Sequence, residues 1–175
     1  MNYATIKWTD IANGEGVRIS LFVSGCTHRC KNCFNQVAWD FSYGELFDES
    51  VQARILEGLN EGFIAGLSLL GGEPLEPQNQ QALYPFIKKV KELYPQKTVW
   101  CYTGFVFDER SGVLKEKRKN TECTKGLISM FDVLVDGPYV EKLKDVRLKF
   151  RGSSNQRVID VKRTLETNRC VLYLE

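Results

Sequence analysis

The chain has 175 residues, 43% apolar and 26% charged, and its 24 Lys and Arg against 22 Asp and Glu give a net charge of +2. That length suits one domain, expected to span residues 1–175, and so even a charge balance lacks the basic footprint of a nucleic-acid binder. No apolar run approaches the ~20 residues of a membrane span, and Met1 to Trp8 lacks the apolar centre of a signal peptide, so a cytoplasmic protein with neither membrane nor nucleic acid as partner is expected.

Residues 1–18 read as a short leading segment in which Asn13 to Gly16 forms a turn. Ile19 to Val23 is continuously apolar, as a parallel strand covered on both faces should be. It leads straight into Ser24-Gly25-Cys26-Thr27-His28-Arg29-Cys30-Lys31-Asn32-Cys33-Phe34, three cysteines spaced C-x3-C-x2-C in one tight loop. Asp48 to Leu59 sets Val51, Ile55 and Leu59 on one helical face with Leu56 beside it, and Gly62 stops it. Leu67 to Leu70 is the second strand and runs into Gly71-Gly72-Glu73-Pro74. A second helix falls within Gln78 to Tyr94, with Phe86, Ile87, Val90 and Leu93 inward and Pro95 ending it; Pro85 implies a kink or a start near Tyr84.

Thr98 to Tyr102 is the third strand and opens onto Thr103-Gly104. Asp108 to Lys125 is rich in charge and poor in apolar residues, which predicts a solvated, mobile loop, with a docking surface as the alternative. A helix over Lys125 to Met130 precedes a strand at Val133 to Val135, which opens onto Asp136-Gly137. Apolar segments at Val146 to Phe150, Val158 to Val161 and Val171 to Leu174 lie too close together for crossover helices, so at least one antiparallel hairpin is expected among them. Strand-helix alternation points to α/β architecture. A complete eight-stranded barrel takes ~250 residues, so the expected fold is an incomplete (β/α) barrel, a mostly parallel curved sheet with helices outside.

Three thiolates in one loop imply a metal. Structural zinc takes four ligands, usually as two pairs; here Cys101, Cys123 and Cys170 stand far apart, and only one of them or His28 could fold back as a fourth. Iron-sulfur clusters are normally given four cysteines, so a cubane held by three keeps one iron open for a substrate or cofactor. The cysteine loop, Gly71 to Pro74, Thr103-Gly104, Asp136-Gly137 and Arg151-Gly152 all follow predicted strand ends, where α/β sheets bind ligands. His28 is the sole histidine, so no serine-histidine or cysteine-histidine nucleophile pair can be assembled without it, and it reads as a supporting or surface residue.

The cysteine spacing with an open iron resembles the radical S-adenosylmethionine (SAM) enzymes. So do Asn13-Gly14-Glu15-Gly16-Val17-Arg18, Ser20-Leu21-Phe22-Val23-Ser24-Gly25, Cys33-Phe34-Asn35, Gly71-Gly72-Glu73-Pro74, Tyr102-Thr103-Gly104-Phe105, Asp136-Gly137-Pro138-Tyr139 and Phe150-Arg151-Gly152-Ser153-Ser154-Asn155-Gln156-Arg157. Together they resemble the activases of anaerobic ribonucleoside-triphosphate reductase, from about residue 10 to about residue 160. The resemblance implies a partial barrel of the radical SAM type and a 4Fe-4S cluster on Cys26, Cys30 and Cys33. It implies that Gly71, Gly72 and Glu73 receive the SAM amino group and that Asn32, Cys33 and Phe34 flank the adenine, Asn32 standing where the superfamily usually has an aromatic residue. Thr103 and Asp136 become polar contacts to SAM or simple strand-end caps, and Arg151 a contact to the SAM carboxylate, to the partner, or part of a plain turn. The implied activity is formation of a glycyl radical on the large subunit of the reductase, with an electron from a donor such as reduced flavodoxin. The alternatives are a radical SAM enzyme acting on a small molecule such as a purine analogue, and a zinc or electron-transfer module.

Overall fold

Four apolar runs become the centre of one sheet in the computed structural model, which describes residues 1–174. In chain order the elements are β1 (Asn2–Asp10), β2 (Val17–Val23), β3 (Glu45–Leu46), α1 (Glu49–Leu59), β4 (Ile64–Gly71), α2 (Pro77–Leu93), β5 (Thr98–Tyr102), β6 (Phe107–Asp108), β7 (Val113–Leu114), α3 (Thr124–Ser129), β8 (Val133–Asp136), β9 (Arg157–Asp160), α4 (Val161–Thr167) and β10 (Leu172–Leu174). The main sheet runs β10-β9-β8-β5-β4-β2-β1-β3, and β6 and β7 form a separate hairpin. Strands β2, β4, β5 and β8 are mutually parallel, joined by connections long enough to hold α1, α2 and α3. Every other pairing in the sheet is antiparallel. Among the described residues no helix is long and apolar enough to cross a membrane.

Side chains alternate across the central strands. Ile19, Leu21, Leu67, Leu69, Val99, Cys101 and Leu134 join residues of α1, α2 and α3 in the principal core. Trp100, Val133, Val135 and Val158 form a smaller core on the opposite, inner face, against Tyr102, Phe150 and Leu174. Helix α1 is capped by Asp48, whose carboxylate accepts from the Ser50 and Val51 N–H groups at 3.0 Å.

The sheet has a parallel centre of four strands with antiparallel strands outside it, and it is not closed, with β10 and β3 as its edges among the described residues. Several other expectations are corrected. The leading segment contains the long strand β1, whose Ile6 and Trp8 pack on the core; period-two alternation was there to read. Val146 to Phe150 is not a strand: Val146 is 89% exposed, and the segment belongs to an excursion between β8 and β9. Helix α2 starts at Pro77 in its first turn and continues through an exposed Pro85, and Leu93 is exposed rather than inward. The charged stretch holds the β6-β7 hairpin with Phe107 and Leu114 buried. Of the antiparallel pairing expected in the last third, β9-β10 is present, with the short helix α4 in its connection; β8-β9 is a further antiparallel pair.

Candidate functional site

Because β2, β4, β5 and β8 are parallel, the segments that follow them emerge at one end of the sheet. They surround a cleft of about 450 Å³. Its lining includes Cys26, Cys30, Cys33, Phe34, Gly71, Gly72, Glu73, Thr103 and Arg151, so nine of the expected residues share one wall-to-wall space. Two do not. Asn32 is exposed in a left-handed turn (φ 59°) that closes with the Cys33 N–H donating to the Cys30 carbonyl at 3.2 Å; asparagine tolerates that conformation and an aromatic residue would not do so as readily. Asp136 is buried behind the cleft, where Oδ1 accepts from Arg157 Nε at 2.9 Å and Oδ2 from the Phe107 N–H at 2.8 Å.

The glycine pair lets two loops meet. The Gly72 N–H donates to the Val23 carbonyl at 2.7 Å and the Glu73 N–H to the Gly25 carbonyl at 2.8 Å. A Cβ on Gly72 would stand 2.7 Å from the Gly25 oxygen, and Gly71 has φ 104°, so side chains are excluded at both positions. The cysteine loop is thereby stitched to the end of β4 through backbone alone.

Two carboxylates then hold the two residues that follow Cys26. Glu76, buried, accepts from the Thr27 N–H at 3.0 Å, from the Thr27 hydroxyl, and from Lys119 Nζ at 2.8 Å. Glu73, 1% exposed, accepts from the Gly104 N–H at 2.8 Å and from His28 Nε2 at 2.7 Å through Oε2, and from the Leu75 N–H at 2.8 Å through Oε1. Phe105 lies between them, 4.3 Å from the His28 ring and 5.4 Å from Lys119 Nζ. Burial lowers the His28 pKa, but the hydrogen bond and charge of Glu73 outweigh it and the net shift is upward. Glu76, Lys119 and Thr27 had no sequence signal, being separated by tens of residues. Tyr102 was also missed as a side chain: it lines the cleft, and its buried hydroxyl has no hydrogen-bond partner among the described residues.

The donor set can be tested against the expected groups. All six cysteines are free, and the three in the loop face the same cleft. Burial pushes Cys26 up to about 11 and Cys30 upward too, so their ionisation at neutral pH calls for the charge of a metal centre. Among the described residues no three His, Cys, Asp or Glu side chains converge on the position of a single ion. A cubane spreads its thiolates over separate irons, which suits three cysteines opening on one cleft.

A family model described as a 4Fe-4S single cluster domain matches residues 12–159. The chain is 43% identical over 158 residues to the anaerobic ribonucleoside-triphosphate reductase-activating protein of Haemophilus influenzae, covering 89% of this chain and 96% of that protein. It is 38% identical over 160 residues to the protein of the same name from Escherichia coli K12, covering 90% and 97%. With that of Enterobacteria phage T4 it shares 35% over 158 residues, covering 90% and 93%.

Proposed function

Since the chain belongs to the family of anaerobic ribonucleoside-triphosphate reductase-activating proteins and carries its 4Fe-4S single cluster domain, we propose that it activates the anaerobic reductase by forming a glycyl radical on the large subunit. When bound, a reduced 4Fe-4S cluster would give one electron to SAM, breaking its C5′–S bond to release methionine and a 5′-deoxyadenosyl radical that takes one hydrogen atom from a glycine of that subunit and leaves as 5′-deoxyadenosine. The observation that carries this reading is the shared cleft: three free cysteines and Gly71-Gly72-Glu73 open on the same space.

Cys26, Cys30 and Cys33 would hold the cluster, and with only three protein ligands it would keep a position open to SAM. Backbone at Gly71 and Gly72, with the one acceptor site left on Glu73, receives the ammonium. Cys33 and Phe34 flank the adenine, while Asn32 shapes the turn that presents them. Thr103 is a polar contact at the end of β5, and Arg151 offers its guanidinium to the SAM carboxylate. Asp136, engaged with Arg157, serves by fixing the end of β8. The chain acts as one radical SAM domain, its open sheet a partial barrel wide enough at the mouth to admit a loop of another protein. The electron comes from a reduced donor such as flavodoxin.

Electron paramagnetic resonance tests this directly. The anaerobically reconstituted chain, reduced, should show a cluster signal that SAM alters, and adding the large reductase subunit should produce a glycyl-radical doublet. A SAM-sensitive cluster with no doublet would move the substrate to a small molecule. Zinc in place of iron would end the radical reading altogether.

A further inference from the structure

Charge is distributed unevenly along this chain. Segment 27–34 contains Arg29 and Lys31 and no acidic residue, and segment 141–151 sets Lys142, Lys144, Arg147, Lys149 and Arg151 against Glu141 and Asp145. The two are net +5 in a chain of net +2, so all the rest is net −3. Arg29, Lys31, Lys142, Lys144, Arg147 and Lys149 are exposed. The Arg147 side chain is 86% exposed even while paired to Asp145 at 2.8 Å.

Both segments reach the rim of the cleft. Cys30, Cys33 and Phe34 line one wall, and Phe150 and Arg151 line another. Tyr139, which precedes the second segment, lines the same cleft as Cys30. The second rim is held in place: the Ser154 N–H donates to the Leu143 carbonyl at 2.9 Å, and Lys144 is bridged to Ser153. Among the cations stand large apolar side chains facing water, Phe34 and Val146 each 89% exposed and Leu143 42%.

We propose that the two basic rims, with Leu143 and Val146 among them, are the docking surface for an acidic face of the large reductase subunit, seated so that its glycine-bearing loop enters the cleft between them. This rests on the function proposed above and names the surface by which its protein substrate is recognised. Charge complementarity selects an acidic partner and steers its approach. The aliphatic Leu143 and Val146 select a protein over a nucleic acid, because only a packed protein surface would cover them; nucleic acid would hold phosphates against the cations and leave those side chains wet. Position selects the substrate over the electron donor, since a donor spanning both rims would close the mouth through which the loop must pass.

The test is the double variant Arg147→Glu with Lys149→Glu, both outside the cleft lining, against Lys88→Glu with Lys89→Glu on the exposed side of α2, which changes net charge equally. Association of the reconstituted chain with the intact large subunit is followed by stopped flow at about 0.05 M and about 0.5 M salt, across which screening shortens from more than ~10 Å to a few. Reversal at the rim should slow association at low salt about tenfold or more and leave little difference at high salt; iron content and SAM affinity, measured by equilibrium dialysis, should match the unaltered chain. Equal slowing by both double variants would reduce the effect to net charge and overturn the proposal. So would displacement of the subunit by a single-stranded oligonucleotide, or slower cluster reduction by the donor with unchanged association. If the unaltered, SAM-binding chain fails to bind the large subunit at all, the proposed function falls and the rim assignment with it.

Discussion

Glu73 has two demands on one carboxylate. A carboxylate offers about four acceptor positions, and Leu75, Gly104 and His28 occupy three, which leaves one for an ammonium. Replacing it by glutamine removes the charge and turns one acceptor into a donor facing donors. Glu73→Gln should therefore weaken SAM binding about tenfold or more and destabilise the fold by about 2 kcal/mol, the scale of a lost charge-assisted hydrogen bond. Equilibrium dialysis and urea titration measure the two effects separately; unchanged SAM affinity with reduced stability would leave Glu73 only as the prop of His28. At this scale the sequence was legible wherever spacing is itself geometry. Cys26, Cys30 and Cys33 share one loop, and Gly71-Gly72-Glu73 is a contiguous turn. Asp136 was not legible, because a strand-end carboxylate shows no preference between ligand and ion pair until Arg157, 21 residues on, is seen beside it. Thr27 met the same obstacle, with Lys119 Nζ reaching its hydroxyl across 92 residues.

Segment 105–124 shows what charge content hides in an element. The charged residues of Asp108 to Lys125 predicted a solvated, mobile loop, yet the segment is tied to α2 by one side chain. Gln80, 0% exposed, donates to the Leu75 and Lys119 carbonyls at 2.6 and 2.8 Å and accepts from the Thr121 and Thr124 hydroxyls at 2.9 and 2.5 Å. All four hydrogen-bonding positions of the amide are thus filled. Gln80→Leu keeps the volume and abandons four polar groups, for a cost of about 3 kcal/mol. Amide exchange in residues 106–124 should accelerate while β2 and β4 keep their protection, since the loss is local. Uniform acceleration would mean that the segment unfolds only with the sheet. Elements themselves were legible where they are buried on both faces or have a clear helical stripe, as in β2, β4, β5 and α1. The amphipathic β1 was overshadowed by the turn that follows it. Val146 to Phe150 has the composition of a strand but no neighbour to pair with; Val146 faces solvent while Phe150 packs on Trp100.

At the scale of the molecule, an open sheet must still fill its inner face, and Arg18 does much of this. Its Nε donates to Ser68 Oγ at 2.7 Å, Nη1 to Thr98 Oγ1 at 2.9 Å and to the Glu15 carbonyl at 3.2 Å, and Nη2 to the Leu67 and Thr98 carbonyls at 2.8 and 2.9 Å. The guanidinium lies 5.4 Å from the Trp100 ring, and burial pushes it down to about 10, still charged at neutral pH. Sequence placed Arg18 in a motif but could not say that one side chain joins the first turn to β2, β4 and β5, because strand order is a property of the assembled sheet. Its partners are neutral oxygens, so the fold depends on the number and direction of its donors rather than on an opposite charge. Arg18→Met removes the charge together with its bonds and should cost about 2 kcal/mol. Arg18→Lys keeps a charge in the same interior with fewer, poorly directed donors, and should cost about 4 kcal/mol. Neutralising the substituted lysine offers no cheap escape at pH 7, since that costs about 5 kcal/mol from a pKa of about 10.4. Burial places its folded-state pKa below the unfolded one, so the unfolded chain holds more protons and stability rises with pH above neutrality. Thermal unfolding of the reduced chain between about pH 7 and pH 9 should therefore rank the unaltered chain above Arg18→Met and that above Arg18→Lys, with the last gap narrowing as pH rises. A lysine variant more stable than the methionine one at pH 7 would show that charge alone, without the guanidinium fork, holds the inner face together.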